Sequence, residues 1–221
     1  MALATDSDLD VQLLVIDELE WTPDVDAAGI GVAVEDGTVT LSGEVDTYAE
    51  RLAAKRAARR VRGVRAIVDD LTVHPRTAWP LTETDIAKEV MHALDAAANV
   101  PETVQAEIHG HSVTLTGEAQ WDFQRTAATR AVQYLRGVYS VTSMVTLASR
   151  PSAVGTEDQI RKALLRNAQL EAERIHVRTE GNTAILTGTV KSWAERRQAA
   201  NAAWASPHVT DVDNRITVSG L

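Results

Sequence analysis

The chain has 221 residues, 44% hydrophobic and 24% charged, with 4% aromatic, no cysteine and a formal net charge of −9. This much apolar content builds real cores and argues against disorder. The missing cysteines exclude disulfides, thiolate metal sites and a cysteine nucleophile. The start, MALATDSDLDVQLL, has neither the basic region nor the apolar run of a secretory signal. No later stretch approaches the ~20 apolar residues of a membrane span, so a cytoplasmic protein is expected, with peripheral membrane contact left open. An acidic total also speaks against duplex nucleic acid as a partner.

Three stretches repeat one pattern: GTVTLSGEV from Gly37, HSVTLTGEA from His111 and NTAILTGTV from Asn182. Their second glycines, Gly43, Gly117 and Gly188, are 74 and 71 residues apart. The next 30 residues align without a gap, bringing Arg51, Arg125 and Arg196 into one position and Val64, Val138 and Val209 into another. Units of this length are near the size at which a small domain stands alone, unlike the shorter repeats of solenoids. Three tandem domains are expected, at 1–77, 78–150 and 151–221, joined by short proline-containing links.

In chain order, each unit opens with a helix whose apolar stripe has the spacing i, i+4, i+5, i+8: Val11, Val15, Ile16 and Leu19; Ile86, Val90, Met91 and Leu94; Ile160, Leu164, Leu165 and Ala168. Ser7, Thr82 and Thr156 stand four residues ahead as expected N-caps. Two alternating strands around a glycine-containing turn then predict a hairpin, and the repeated glycine after the second strand marks a bend or a close backbone approach. An alanine-rich helix follows, over Tyr48–Arg62, Asp122–Arg136 and Ala194–Ala205, and a last strand ends each unit. The class is α+β: three α-β-β-α-β domains, each a three-stranded mixed sheet packed with two helices. If the last two strands are neighbours, the helical crossover makes them parallel.

The first unit has the most uneven charge. Residues 1–50 hold 13 acids and no Lys or Arg; Arg51, Lys55, Arg56, Arg59, Arg60, Arg62 and Arg65 then follow without an acid among them. At helical spacing, Arg51, Lys55, Arg59 and Arg62 fall in one row expected to be exposed. Such a row suits anionic lipid headgroups, with RNA phosphate or an acidic partner domain as alternatives. The plainer reading is a solvated face balanced by the acidic first helix, through Asp10, Asp17 and Glu18. Tyr48, Trp121 and Trp193 sit where the chain enters the second helix, placed to meet a membrane interface, a protein partner or the end of the core. Trp79 lies in a link and is expected to staple two domains, while Trp21 and Trp204 read as core or edge packing. The pair His109 and His111 lacks the further ligands of a closed zinc site and reads as an exposed turn. No P-loop, nucleophile elbow, zinc-protease or dinucleotide motif is present, so a non-enzyme without cofactor or metal is expected.

The glycine-trailed strands VTLSGEV, VTLTGEA and AILTGTV, the alanine-rich helix, and the closing steps Gly63-Val64…Ile67 and Gly137-Val138…Val141 together resemble the BON domain family. The third unit departs from the family step, with His208 in place of the glycine, and its helix-to-strand turn is expected to differ. The resemblance implies a non-enzymatic protein linked to osmotic stress and envelope integrity, with anionic phospholipid as ligand. A protein-interaction or self-associating scaffold, including a homo-oligomer, and a potassium-binding sensor are the alternatives. No family ligand motif transfers to a residue here. The candidate lipid- or partner-binding residues are Arg51, Lys55, Arg56, Arg59, Arg60 and Arg62 with Tyr48, Trp121 and Trp193.

Overall fold

A computed structural model of the chain describes residues 6–76, 81–151, 155–166 and 174–219. The first unit runs α1 (Asp6–Glu20), β1 (Ile30–Glu35), β2 (Thr38–Val45), α2 (Tyr48–Arg60) and β3 (Ala66–Val73). The second runs α3 (Glu83–Ala96), β4 (Gln105–His109), β5 (Ser112–Thr116), β6 (Glu118–Ala119), α4 (Asp122–Val132), β7 (Ser140–Ser143) and β8 (Thr146–Leu147). The third runs α5 (Thr156–Leu165), β9 (Ile175–Glu180), β10 (Thr183–Val190), α6 (Trp193–Trp204), β11 (Asp211–Asn214) and β12 (Thr217–Val218). The α-β-β-α-β order therefore occurs three times, with the last strand interrupted in the second and third units. In each unit the second strand is central. It pairs antiparallel with the first and parallel with the last, as the helical crossover requires.

Each unit has its own core. The first helices bury Val11, Val15 and Leu19, then Ile86, Val90 and Leu94, then Ile160 and Leu164, against valine- and leucine-rich central strands. The i+5 members of the expected stripe do not join them: Met91 and Leu165 are 60% and 62% exposed, and Ile16 is only half-buried. At about 100° per residue, i+4 and i+8 stay within a quarter turn of i, whereas i+5 swings to the far side. Ala168 lies outside the described residues. Trp21 is 85% exposed, not packed in a core, because it stands one residue past the end of α1 where the stripe has run out. Trp79 lies outside the described residues.

Of the three expected N-caps, Thr82 alone caps its helix. Thr82 caps α3 in a full capping box with Asp85. Ser7 lies inside α1, and its neighbour Asp8 is the residue that works: its buried carboxylate accepts from the amides of Gly37, at 3.0 Å, and Asp36, tying the helix to the hairpin turn. Thr156 is the first residue of α5, behind Gly155 at the cap. The second helices share a device not anticipated from the sequence. Glu50, Gln124 and Glu195, all seven residues past the repeated glycine, reach back to the amides of Asp46, Gln120 and Lys191.

Backbone approach accounts for the repeated glycine. Gly43, Gly117 and Gly188 have φ of +116°, +112° and +123°, and a Cβ on each would stand 2.2, 2.1 and 2.0 Å from the carbonyl oxygen of Gly29, Thr103 and Arg174. That oxygen belongs to the residue just before the hairpin or one step earlier, so the glycine lets the two strands cross at their open end. Gly63 and Gly137 hold φ of +93° and +81° before the last strand. His208 has no positive φ, and its ring Nδ1 faces the carbonyl of Pro151 at 3.0 Å, so the third turn does differ.

Alanine at Gly43, Gly117 or Gly188 is expected to cost about 2–3 kcal/mol, from strained φ and the carbonyl clash together. Urea unfolding of each variant checks this: the midpoint falls for all three with the denaturant slope unchanged.

Candidate anion-binding groove between the first and third domains

In α2 the small side chains Ala53, Ala54, Ala57 and Ala58 are buried against the sheet, which leaves the basic residues on the flanks and the outer face. The expected exposed row divides. Arg51 and Lys55 turn to the sheet and share Asp69 of β3, at 3.1 and 2.7 Å, and both are only about a quarter exposed. Arg62 lies past the end of α2 and does not line the groove described below. Arg59, the third member, reaches the third domain. A row at i, i+4, i+8 stays on one helix side, but that side is covered by β3 at one end and by α6 at the other. The acidic first helix balances one cation: Glu18 of α1 takes Arg60 at 2.6 Å, and Arg60 also donates to the hydroxyl of Thr22.

Where α2 meets α6, Arg56, Arg59 and Arg60 face Arg196 and Arg197 across a groove of about 440 Å³. None of the residues lining it is acidic. Trp193 forms the floor. Its ring lies under the guanidinium groups of Arg59 and Arg196, with Cζ 5.2 and 5.4 Å from the ring centre, and its indole N–H donates to the carbonyl of Val64 at 3.0 Å. Arg196 is held in place by two carbonyls, of Ile216 at 2.9 Å and Asn214 at 2.7 Å. Among the described residues, Arg56, Arg59 and Arg197 have no ion-pair or hydrogen-bond partner. Burial, and then the charges of Arg196 and Arg197, push the proton affinity of Arg59 below its ordinary value. Three guanidinium groups without an ion-pair partner, Arg59 among them partly buried, beside the carbonyl-bound Arg196, make a site whose unmet need is negative charge.

The sequence reasoning found Arg56, Arg59, Arg60 and Trp193 but missed Arg196, Arg197 and Asn214. Nothing local marks a residue in α6 as a neighbour of α2. The one available signal was the alignment of Arg51, Arg125 and Arg196.

Tyr48 and Trp121 are placed differently from Trp193. Tyr48 packs on the cores of both the first and second domains, in a second groove that also holds Leu81, Gln133, Tyr134 and Tyr139. Trp121 lies 3.8 Å under the guanidinium of Arg150, which donates to the carbonyl of Pro207 in the third domain. All three aromatic residues therefore meet another part of this chain, and they do not share one outward face. Trp204 is likewise a junction residue, with Arg125 of α4 4.8 Å above its ring. His111 is not a free turn residue: it stacks on Tyr139 at 4.0 Å, with Nδ1 at 2.8 Å from the carbonyl of Gly137. Among the described residues, no group of His, Asp and Glu side chains is arranged to hold a metal ion, and no helix is long and apolar enough to cross a membrane.

The fold defines a class: small α+β domains in tandem, each a three-stranded mixed sheet carrying one apolar-striped and one alanine-rich helix. The BON domain model matches residues 7–75, 82–149 and 153–220, and the chain belongs to the BON domain family. Among solved structures, it is similar to the C-terminal domain of CdsD, the structural protein of the type III secretion system of Chlamydia trachomatis, at 12% identity over 99% of this chain and 100% of that one, with a TM-score of 0.26. It is also similar to the PrgH periplasmic domain, at 11% identity over 86% of this chain and 95% of that one, with a TM-score of 0.22. No curated protein matches the chain.

The shared ion pair at Asp69 has a pH signature. Burial raises this carboxyl's pKa, but the bonds from Lys55 and Arg51 outweigh burial and hold it below the ordinary carboxylate value. The stability it adds is present above the unfolded value near 3.9 and is lost as pH falls through the lower folded value. Asp69→Asn is expected to cost about 1 kcal/mol at pH 7, and the gap from the parent should close as thermal unfolding is followed below pH ~4.

Proposed function

We propose that this protein is a non-enzymatic binding scaffold that associates peripherally with anionic phospholipid, taking headgroup phosphates into the arginine groove between α2 and α6. The observation that carries this reading is the convergence of five arginines from two domains on a groove with no acidic residue in its lining. Guanidinium forks match phosphate oxygens in geometry and charge, and each surface cation near an anionic leaflet adds ~1 kcal/mol. The indole of Trp193 gives the groove an apolar floor beside its charges, which suits a headgroup joined to a glycerol backbone.

A second reading, a protein-binding or self-associating scaffold, rests on a different surface. Leu9, Leu13 and Leu14 of α1 are 48%, 61% and 51% exposed, and Trp21 follows just beyond the helix. Leu9 and Leu13 are one turn apart on the same side, a pattern that in soluble proteins marks contact surfaces. Light scattering of the free protein, with Leu13→Gln as the comparison, tests it.

Co-sedimentation with phosphatidylglycerol or cardiolipin vesicles tests the main reading. Binding is expected at low salt, absent with phosphatidylcholine, and lost progressively towards 0.5 M salt. Arg56→Gln with Arg197→Gln should weaken it about tenfold or more without lowering the thermal midpoint, since neither side chain has a structural partner. Equal binding to neutral vesicles, or unchanged binding by the double variant, removes the groove from the function.

A further inference from the structure

The three domains meet head to tail, and the same repeat positions form each junction. Counted from the repeated glycine, the residue at +5 or +8 of one domain stands beside the residue at +16 of the next. Tyr48 and Gln133 line the groove between the first and second domains. Arg125 covers Trp204 between the second and third. Trp193 and Arg196 face Arg59 between the third and first. The turn before the last strand receives the contact each time, at Gly137–Tyr139, Pro207 and Val64. Head-to-tail contacts that return to their starting unit form a closed ring. Links of a few residues tether the first two junctions, while the third is held by non-covalent contacts alone.

That closing junction is also the one with an electrostatic conflict. The arginine at +8 recurs in every domain, but its surroundings differ. Arg51 has Asp69 as counter-charge, and Arg125 has Asp122 at 2.5 Å. Arg196 has carbonyl partners only, and the position that holds Asp69 in the first domain, 26 residues past the glycine, is Asn214 in the third. Asn214 lines the groove. Across from Arg196, the +16 residue is Arg59, where the other two junctions have the uncharged Gln133 and Trp204. The junction that no link secures is thus the one that brings cation against cation and lacks the domain's own carboxylate.

We infer that the groove is an anion-dependent clasp: a phosphate-class dianion held by Arg56 and Arg59 of the first domain and Arg197 of the third closes the ring of domains. The inference rests on the proposed anion-binding role of the groove and adds to it a linkage between occupancy and closure. An anion that touches both walls binds the closed ring better than the open one, so it shifts the chain towards closure by its differential affinity. Inorganic phosphate and a phospholipid headgroup share this chemistry.

The indole N–H of Trp193 reports closure directly, because it donates to Val64 across the junction. Its resonance in the full chain is assigned with Trp193→Phe, and its solvent exchange is followed together with the radius of gyration from small-angle scattering. Inorganic phosphate is compared with sodium chloride at matched ionic strength. Phosphate is expected to slow exchange about tenfold or more and to shrink the radius, while chloride is not. Arg56→Gln with Arg197→Gln should abolish the phosphate response. Asn214→Asp restores the carboxylate that the first domain has, and keeps the side-chain oxygen that accepts from Ile216. It should close the ring without phosphate and make phosphate ineffective. Phosphatidylglycerol vesicles that slow exchange and compete with phosphate identify the lipid headgroup as the source; slowing by free phosphate alone identifies the soluble anion. An equal effect of chloride, or a phosphate response that survives in both the double variant and Asn214→Asp, overturns the clasp. Arginine-dependent vesicle binding with an unresponsive Trp193 proton overturns the clasp and leaves the lipid reading standing. Loss of both sinks both.

Discussion

An aromatic ring at the entrance of each second helix, which meets the neighbouring domain directly at Tyr48 and Trp193 and through Arg150 at Trp121, is the contact on which the assembly of this chain depends. Tyr48 packs on two cores at once, Trp121 lies under the arginine that reaches Pro207, and Trp193 donates to Val64. Each core is built from about a dozen buried side chains in a domain of some 70 residues, a size at which hydrophobic burial barely exceeds the entropy of ordering the chain. Docking sets Tyr48 on the core of the second domain and Tyr139 on the core of the first. It also raises the effective concentration of one domain beside the next, so weak contacts persist once the links have brought them together. The corner before the second helix is the natural place for this contact. There the backbone leaves the sheet, the helix has not yet covered the core, and a large side chain points outward from the domain.

The geometry of that corner is set by backbone, not side chain. Gly43, Gly117 and Gly188 accept a carbonyl where any Cβ would collide, which brings the start of the first strand across the end of the second. The Glu or Gln seven residues later then takes the amide of the corner itself, fixing the angle at which the helix departs. A steric requirement and a hydrogen bond thus hold the corner alike in all three copies, with the aromatic residue at +5 in the first and third (Tyr48, Trp193) and at +4 in the second (Trp121). Chemistry varies at that side chain while the corner does not. This is how one fold supplies a junction of tyrosines, one of arginine stacked on tryptophan, and one where arginines of both domains face each other.

Elements whose signal is local were legible in the sequence, and elements made by distant residues were not. The helices, hairpins and parallel last strands follow from periodicities of 3.6 and 2 and from turn glycines. The three-fold repetition strengthened each weak signal. The differences lie where a pattern runs one or two positions beyond the element that carries it. Including i+5 in the stripe put Met91 and Leu165 inside, where the helix turns them out, and extending α2 past Arg60 put Arg62 in its row. The site was half legible. Arg56, Arg59 and Arg60 stand out in an acid-free run, but their partners Arg196 and Arg197 lie in a unit whose charges almost cancel, with 9 basic and 8 acidic residues over 151–221. A sum of that kind conceals a pair of arginines on one helix face. The informative comparison was of equivalent positions: Asp69 against Asn214 and Arg59 against Trp204 carry the electrostatic difference between junctions, and each is a single substitution within an otherwise matching frame.

The same charge map bears on the size of the anion proposed for the groove. A chain of net charge −9 repels polyanions, but salt screens that repulsion beyond a Debye length of about 8 Å, so the acids nearest the groove matter most, and the acidic helix α1 lies next to α2. An extended polyanion at the proposed site would meet Glu18, which already pairs with Arg60 of the groove. A single phosphate group would meet the arginines and the indole floor alone. Partial dehydration strengthens short-range attraction in the groove, while acids within a Debye length oppose a polyanion that spreads over them. The charges are thus segregated, positive in the concavity between α2 and α6 and negative on the adjoining α1, an arrangement that favours the compact anion proposed for the groove over an extended one. That arrangement needs both domains, since α2 alone offers a convex basic face open to any anion, and only the docking of α6 turns the face into a groove.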